Sequence, residues 1–352
     1  MFDPRDIEAR VEVYLLYKGE VILDHKLAEV LKLIEKKGSI LAACRSLGIP
    51  YSRIWERIVK AERVLGIKLV EAKRGGKGGG GTVLTPEAKN ILKIYYEALS
   101  KVRPCASLLG RTPTIEKPSP ELAVIGSHDP VLEHIIGILR SRGLKDIEVQ
   151  WVGSLGGLAS IILGEADIAG VHLFDYNTKT YNIPFIEKFL LKNEVALVKG
   201  YERELVFAMK PTLDLNDIHE IVNGLASGRL TLANRIKGAG TRVYLDYILK
   251  SYGIDSRNVK GYETEYRTHF DVASAVAMGK ADICLTLRHI AHLYSLKTIH
   301  VTWEPYDFIV PLSKLNKHSV KLFFNTLKEA KSIIEKFIGY KVSKNIGEVI
   351  YT

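Results

Sequence analysis

Residues 75–81 read GGKGGGG, and neither a helix nor a strand interior is stable through such a run. Two short stretches of strand-like alternation bracket it, Lys68 to Ala72 and Thr82 to Leu84. The pattern is a β-hairpin whose tip combines glycine with the cations Lys73, Arg74 and Lys77. A tip without Cβ atoms lets backbone lie close to a sugar-phosphate surface, and the cations neutralise that surface. A flexible linker would account for the glycines but not for the strands on both sides. A phosphate-binding P-loop is excluded, because Lys77 is followed by Gly78 rather than Ser or Thr.

The residues before the hairpin complete a helix-turn-helix pattern. Val11 to Tyr17 alternates, Lys18-Gly19 turns, and Val21 to Leu23 returns. Asp24 then caps a helix carrying Leu27, Val30, Leu31 and Ile34 on one face. Ser39 is placed to cap a short helix through Leu47, Gly48 breaks it, and Pro50 sits at an early position of the next helix. That helix runs from about Tyr51 to Leu65, with Ile54, Ile58, Ala61 and Leu65 in one arc and Arg53, Arg57 and Lys60 on the far side. An apolar back and a cationic front suit a helix lying in a major groove, although a solvated amphipathic helix has the same pattern. Thr85-Pro86 opens a long helix to about Arg103. Its Ala88, Leu92, Tyr95, Leu99 and Val102 follow the 4-3 spacing of a coiled-coil seam, or of a helix packed on its own domain.

Charge follows the same division. The chain of 352 residues has net charge +10. Residues 1–103 hold 20 Lys+Arg against 13 Asp+Glu, and the remaining 249 residues hold 30 against 27. The basic excess therefore lies where the hairpin and helix are, as a polyanionic partner requires. Cys44, Cys105 and Cys284 are far apart, lack metal-ligand spacing, and fit a reducing cytoplasm. No apolar run approaches a membrane span, and MFDPRDIEAR is not a signal peptide.

Residues 104–120, with four prolines and little periodicity, read as a linker. From Glu121 the chain alternates strand and helix. Strands are expected at Leu122–Ile125, Ile147–Val152, Ala166–Val171, Glu204–Met209, Leu230–Ala233, Ala281–Thr286, Ile299–Trp303 and Phe308–Pro311. A helix over about Val320 to Ile338 closes the chain. Ligands of such sheets bind beyond the carboxyl ends of the strands. Loops there repeat one arrangement, a hydroxyl or imidazole beside a helix start: Ser127-His128, Ser154, Gly240-Thr241-Arg242 and Thr268-His269. Helix N-termini attract anions, so these ends converging in a cleft would hold a small anion mainly through neutral donors. Each alone also reads as an ordinary N-cap. Arg242 and Arg235 could pair with the anion or lie in ion pairs outside the cleft. Asp167 and Asp282, in GEADI and GKADI, read as structural residues of matching turns.

The segments GSILAAC, ERVLGIKLVE, GGKGGGGT and LTPEA, with the helix carrying Trp55, resemble the winged-helix domain of ModE-type molybdate-responsive regulators, relatives of the LysR-type group, over roughly Val11 to Arg103. NRIKGAGTR, THFDVASAVAMGKADI and WEPYDFIV resemble the periplasmic-binding-protein-like domain attached to molybdate-type regulators and some molybdopterin-biosynthesis proteins, over roughly Glu121 to Ile338. Ala239 stands where that pattern usually has a hydroxyl-bearing residue.

The resemblance implies an α/β chain overall. Residues 1–85 would form a winged helix-turn-helix, 86–103 a dimerisation helix, 104–120 a linker and 121–352 a two-lobed type II periplasmic-binding-protein-like domain. Lobe I would take 121–203 and 304–352, and lobe II 204–303. It implies a cytoplasmic one-component transcriptional regulator that binds double-stranded DNA as a homodimer or tetramer. The candidate DNA contacts are Ser39, Tyr51, Ser52, Arg53, Arg57, Lys60, Lys73, Arg74 and Lys77. The candidate ligand contacts are Ser127, His128, Ser154, Gly240, Thr241, Arg242, Thr268 and His269. The ligand implied is an oxyanion such as molybdate or tungstate, with no cofactor beyond it. An organic acid or a molybdenum-cofactor-related metabolite is the alternative, and a cofactor-handling enzyme a more distant one. No nucleophile elbow or HExxH motif points to catalysis, and His289 and His292 lack a third metal ligand at suitable spacing.

Overall fold

The computed structural model describes residues 12–73, 81–102 and 119–352. The chain divides into two compact units. One contains the residues to Pro120 together with Ile162–Glu165, and the other contains the remainder.

In the first unit a hairpin of β1 (Leu15–Tyr17) and β2 (Glu20–Leu23) precedes three helices, α1 (His25–Lys37), α2 (Ile40–Leu47) and α3 (Tyr51–Leu65). Asp24 caps α1 by accepting from the Leu27 N–H at 2.9 Å, and Ser39 caps α2 by accepting from Ala42 at 3.0 Å. Gly38, Gly48 and Gly66 end the three helices in the left-handed region. Pro50 is the N-cap of α3 and not a residue within its first turn. Ile54, Ile58 and Ala61 are buried as the apolar arc requires, whereas Leu65 is half-buried. Strands β3 (Val70–Lys73) and β4 (Gly81–Leu84) pair antiparallel from Val70↔Leu84 to Lys73↔Gly81. They are the strands expected on each side of the glycine run. The tip itself, with Arg74 and Lys77, lies outside the described residues, as do Cys105 and residues 104–118 of the expected linker.

Two polar residues fasten the wing. Glu62 is buried at the end of α3, accepts from the Leu69 N–H at 2.8 Å, and pairs with Lys68 Nζ at 2.8 Å. Thr85 Oγ1 donates to the Lys68 carbonyl at 2.8 Å and accepts from the Ala88 N–H at 3.1 Å, capping α4 (Pro86–Val102).

The expected intermolecular seam on α4 is not available in this structure. Ala88, Leu92, Tyr95 and Leu99 are all buried within the single chain. Tyr96 also bonds Glu29 of α1 at 2.8 Å. The 4-3 spacing thus marks a helix packed on its own unit, because a seam against one's own core and a seam against a partner have the same period.

In the second unit, β5 (Leu122–Gly126) and β6 (Ile147–Trp151) pair in parallel, with α5 (Pro130–Ser141) between them. After β6 come α6 (Gly153–Ile162), β7 (Ala169–Val171) and α7 (Ile183–Lys188). Strand β8 (Val195–Met209) carries the chain into a second α/β layer. That layer contains α8 (Ile218–Ala226), β9 (Leu232–Arg235), α9 (Gly240–Ser251), β10 (Glu265–Tyr266), α10 (His269–Ala277), β11 (Ile283–Leu287) and α11 (Arg288–Leu293). Strand β12 (Lys297–Pro311) brings it back to α12 (His318–Glu329), α13 (Lys331–Ile334), β13 (Tyr340–Val342) and β14 (Val349–Tyr351). Strands β8 and β12 run antiparallel over their whole length, from Lys297↔Met209 to Pro311↔Val195. They belong to both layers. β11 pairs β8 at Leu205–Met209, whereas β13 pairs it at Tyr201–Arg203. The changeover between lobes therefore falls at Arg203–Leu205.

The two lobes repeat one local device. Asp167 accepts from the Ala123 N–H at 2.9 Å while its own N–H donates to the Ala123 carbonyl at 2.8 Å. Asp282 makes the same pair with Thr231, at 2.7 and 2.9 Å. These carboxylates align a strand beside the next one, the structural role expected of GEADI and GKADI.

Candidate functional site

A charged cluster occupies the crossover strands. Arg203 on β8 and Glu304 on β12 are cross-strand partners, both fully buried. Arg203 Nε donates to Glu304 Oε1 at 2.8 Å, and Nη1 donates to Asp129 Oδ2 at 2.9 Å. Asp129 is the N-cap of α5, accepting from Val131 and Leu132, and it also receives the hydroxyls of Tyr201 at 2.6 Å and Tyr340 at 2.9 Å. Burial works against the charge on Arg203, but Glu304 and Asp129 outweigh it and raise its affinity for the proton. Burial likewise opposes the charge of Glu304, yet the His172 ring and Arg203 hold its carboxyl down to about 2. Burial, with Asp129 next, pushes the hydroxyls of Tyr201 and Tyr340 well up, so both remain donors.

His172, following β7, links this cluster to the helix starts. Its Nδ1 lies 3.1 Å from Glu304 Oε2 and its Nε2 lies 2.9 Å from Ser127 Oγ. Burial and then Arg203 lower its pKa, so the ring is neutral. An ionised carboxylate needs a proton from the ring nitrogen facing it, so the neutral ring carries its proton on Nδ1. Ser127 then donates to Nε2.

The lobes meet around this ring. A Cβ on Gly240, at the start of α9, would lie 2.5 Å from the His172 imidazole, and one on Gly153, at the start of α6, 3.3 Å from the Gly238 carbonyl oxygen. At Gly240 only glycine permits that approach. His128 in lobe I packs edge-on against Phe270 of α10, ring centroids 5.8 Å apart. Ser154 in α6 accepts from the His172 N–H at 3.2 Å.

Several buried polar atoms here have no hydrogen-bond partner: Arg235 Nε and Nη1, Thr241 Oγ1, His128 Nδ1 and His269 Nε2. Arg235, at the end of β9, is 3% exposed and spends only Nη2, on the Arg267 carbonyl at 2.8 Å. Burial and the charge of Arg203 push it down to about 10, leaving it cationic at neutral pH. Each unmade bond of a buried donor costs about 1–3 kcal/mol, more for charged groups. Arg235 is thus a buried cation with donor capacity that no protein group uses. His269 is neutral, its pKa lowered by burial and then by Arg235. Ala239 leaves the N-cap of α9 without a side-chain acceptor. A surface hollow of ≈ 500 Å³ lined by Glu133, His134 and Phe337 contains none of these unpartnered atoms.

Two expected ligand contacts also have structural roles. Arg242 is buried, but its Nη1 bonds Glu265 at 2.7 Å and the Arg235 carbonyl at 3.1 Å, and its guanidinium covers the Tyr262 ring. It makes an ion pair within lobe II, while its Nη2, like Arg203 Nη2 and Arg235 Nε and Nη1, has no hydrogen-bond partner. Thr268 is the N-cap of α10 in a capping box with Asp271, its Oγ1 accepting from the Asp271 N–H at 3.1 Å. Ser127, His128, Ser154, Gly240, Thr241 and His269 all lie around the meeting of the lobes. The sequence reading missed Arg203, Glu304 and His172, whose partners lie far along the chain.

On the first unit, Arg53, Lys60 and Lys73 are exposed and Ser52 and Arg57 half-buried. Arg57 forms an ion pair with Asp24, and Lys60 with Glu20 at 2.8 Å. Tyr51 is corrected. It is 1% exposed and stacks on Trp55, so it is a core residue and not a groove contact. Ser39 spends its oxygen on the α2 cap. Among the described residues, no helix is long and apolar enough to cross a membrane, and no group of three or more His, Cys, Asp or Glu could hold a metal ion.

Comparison with known proteins sets these features in a family. The uncharacterised protein YvgK of Bacillus subtilis is 28% identical over 229 residues, 64% of this chain and 70% of that protein. The DNA-binding transcriptional dual regulator ModE of Escherichia coli is 32% identical over 89 residues, 25% of this chain and 34% of ModE. The molybdenum transport protein ModE of Herbaspirillum seropedicae is 37% identical over 75 residues, 28% of its length. The match thus spans about a third or less of either ModE protein. A solved structure assigned as a phosphate ABC transporter substrate-binding protein, with bound phosphate, from Clostridium perfringens superposes with TM-score 0.51 at 14% identity, covering 63% of this chain and 99% of that one. The model of the PBP superfamily domain matches residues 139–328, more than half the chain, and the chain belongs to that superfamily.

Proposed function

We propose that this protein is a DNA-binding transcriptional regulator whose two-lobed domain senses a small anion. The observation that carries the sensing half is Arg235: a buried cation whose Nε and Nη1 have no hydrogen-bond partner, in the lobe that also holds the unpartnered hydroxyl of Thr241 and the uncapped start of α9. An oxyanion or a carboxylate would satisfy all of these donors at once. Molybdate and tungstate are the first candidates, because the ModE relatives include a molybdenum transport protein. An organic acid is the second. The winged helix supports the output half, with Arg53 and Lys73 exposed on α3 and on the strand leading to the tip. Arg57 and Lys60 would exchange Asp24 and Glu20 for phosphates on binding. Two copies would present two heads to two half-sites.

The test is a thermal-shift panel of molybdate, tungstate, sulfate, phosphate and organic acids on wild type and Arg235→Ala. At least one anion should raise the melting temperature of wild type and leave the variant unmoved. No shift from any member would overturn the sensing assignment. Footprinting of Arg53→Ala addresses the DNA face, where an unchanged footprint would count against α3 as the reading helix.

A further inference from the structure

We infer that the cleft takes up a proton on His172 together with its anion, so that anion binding is proton-coupled. This rests on the anion-sensing reading above and adds a mechanism to it.

The inference starts from the direction of two hydrogen bonds. Glu304 Oε2 faces His172 Nδ1 at 3.1 Å, and Glu304 is held ionised by Arg203, which bonds its other oxygen at 2.8 Å. A carboxylate oxygen accepts only, so Nδ1 keeps its proton in every state. While the ring is neutral, Nε2 is a bare acceptor, and the Ser127 hydroxyl 2.9 Å away gives it its hydrogen. Ser127 in that state shows the cleft only lone pairs, which repel an anion. Protonating Nε2 reverses the bond. Ser127 then accepts from the imidazolium and its hydrogen is released towards the cleft. One proton converts a repelling oxygen into a donor.

Charge balance points the same way. The buried charges of the network are Arg203, Arg235, Asp129 and Glu304, which sum to zero, and the equally buried Arg242 is offset by Glu265. An anion entering between closed lobes makes the buried set negative, and a proton on His172 offsets one charge. The groups facing that ring favour such a state only when an anion is present. Glu304 on β12 attracts the proton, while Arg203 on β8 and Arg235 on β9 repel it. His269 at the start of α10 also faces it as a neutral ring, and Tyr306 stacks on it at 6.1 Å. A bound anion would screen Arg235 from His172 and remove part of that repulsion.

The full-length protein can be titrated by calorimetry with sulfate and with molybdate, across about pH 5 to 8, where a histidine is the natural titrating group. Repeating each titration in two buffers of different ionisation enthalpy gives the proton count. The expected result is uptake of about one proton per anion and affinity falling up to about tenfold per pH unit at the alkaline end. His172→Gln should bind with no net uptake and a flat pH profile. Should that variant fail to fold, Ser127→Ala is the second test, with its affinity at low pH falling towards the wild-type value at high pH. Binding of either anion with no uptake, or with the same uptake in His172→Gln, overturns the inference and leaves the anion site standing. No binding of either anion at any pH overturns this inference; failure of organic acids and phosphate as well would remove the anion site with it.

Discussion

Three residues far apart in the chain determine what the two-lobed unit can tolerate. Arg203 meets Glu304 across 101 positions and Asp129 across 74. Removing one member of a buried ion cluster leaves the others uncompensated, a cost of about 3–5 kcal/mol. Arg203→Met should therefore lower the unfolding free energy of this unit, measured by urea titration, by that amount, and a loss under about 1 kcal/mol would show that the cluster is not held as described. Acid acts on the same residues with a definite sign. The Glu304 carboxyl falls from its ordinary 4.5 to about 2, so its contribution is fully present above pH 4.5 and is lost as pH drops towards 2. The lowered pKa of His172 adds a loss that begins earlier, below its ordinary 6.5. Stability measured by denaturant should thus decline in two stages on acidification, and His172→Gln should abolish the first stage and move the second towards the ordinary 4.5, because the ring also helps hold the Glu304 carboxyl down. At Gly240 a methyl group would meet the His172 ring and carbonyl at 2.5 Å. Gly240→Ala should keep the fold by circular dichroism yet lose the anion-induced melting shift, since the lobes could no longer close. None of the cluster was legible in the sequence. Arg203, His172 and Glu304 sit in unremarkable strand contexts, and only the antiparallel pairing of β8 with β12 brings two of them together. The helix-start residues were legible because a cap is a local signal, read within four residues. Thr268 shows the limit of that signal: a capping function and a ligand function share one sequence signature.

Elements with local causes were the readable ones. Asp24, Ser39, Gly48 and the glycine run announced the winged helix, and its strands β3 and β4 pair antiparallel on either side of that run. The crossover strands were only half visible. β12 is continuous from Lys297 to Pro311, but register shifts at His300/Thr302 and Tyr306/Phe308 break its alternation, so the sequence suggests two strands. The closing helix shows the opposite failure, since one apolar period covers both α12 and α13. On α4 the period was right and the partner wrong, for the seam is buried against its own unit. Any self-association through this helix must use its other side, where Ile94 is 46% exposed and Ile91 and Ala98 are half-buried at spacings of three and four residues. If two copies pair there, Ile94→Glu should shift the protein from dimer to monomer in sedimentation velocity while leaving its helix content unchanged. An unchanged sedimentation coefficient would place the interface elsewhere. The cap of the same helix gives an independent check on the fold. Thr85→Val removes both the bond to the Lys68 carbonyl and the α4 cap, and should cost about 1–2 kcal/mol, the usual range for a lost cap.

At the scale of the whole molecule, the proposed sensor and the proposed DNA head can influence each other only through a coupling free energy, and that quantity is reciprocal. If the anion changes operator affinity by some factor, saturating operator DNA must change anion affinity by the same factor. Allosteric couplings of this kind amount to about 1–3 kcal/mol, or roughly 5–150-fold. Charge supplies a separate test of the DNA half. The basic excess of the chain lies in its first 103 residues, +7 of the total +10. Binding that neutralises phosphates with these cations must weaken steeply with salt, the slope of log affinity against log salt reporting about 0.9 per phosphate contact. Substituting Arg53 and Lys73 by alanine should therefore lower that slope by about two, while anion binding in the cleft stays unchanged. The decisive experiment measures anion affinity with and without saturating operator, and operator affinity with and without saturating anion, in wild type and in Arg235→Ala. Equal factors in wild type and a factor of one in the variant are expected. A factor of one in wild type would mean that cleft and DNA head are not coupled, and a persisting factor in Arg235→Ala would mean that the coupling does not pass through this cleft.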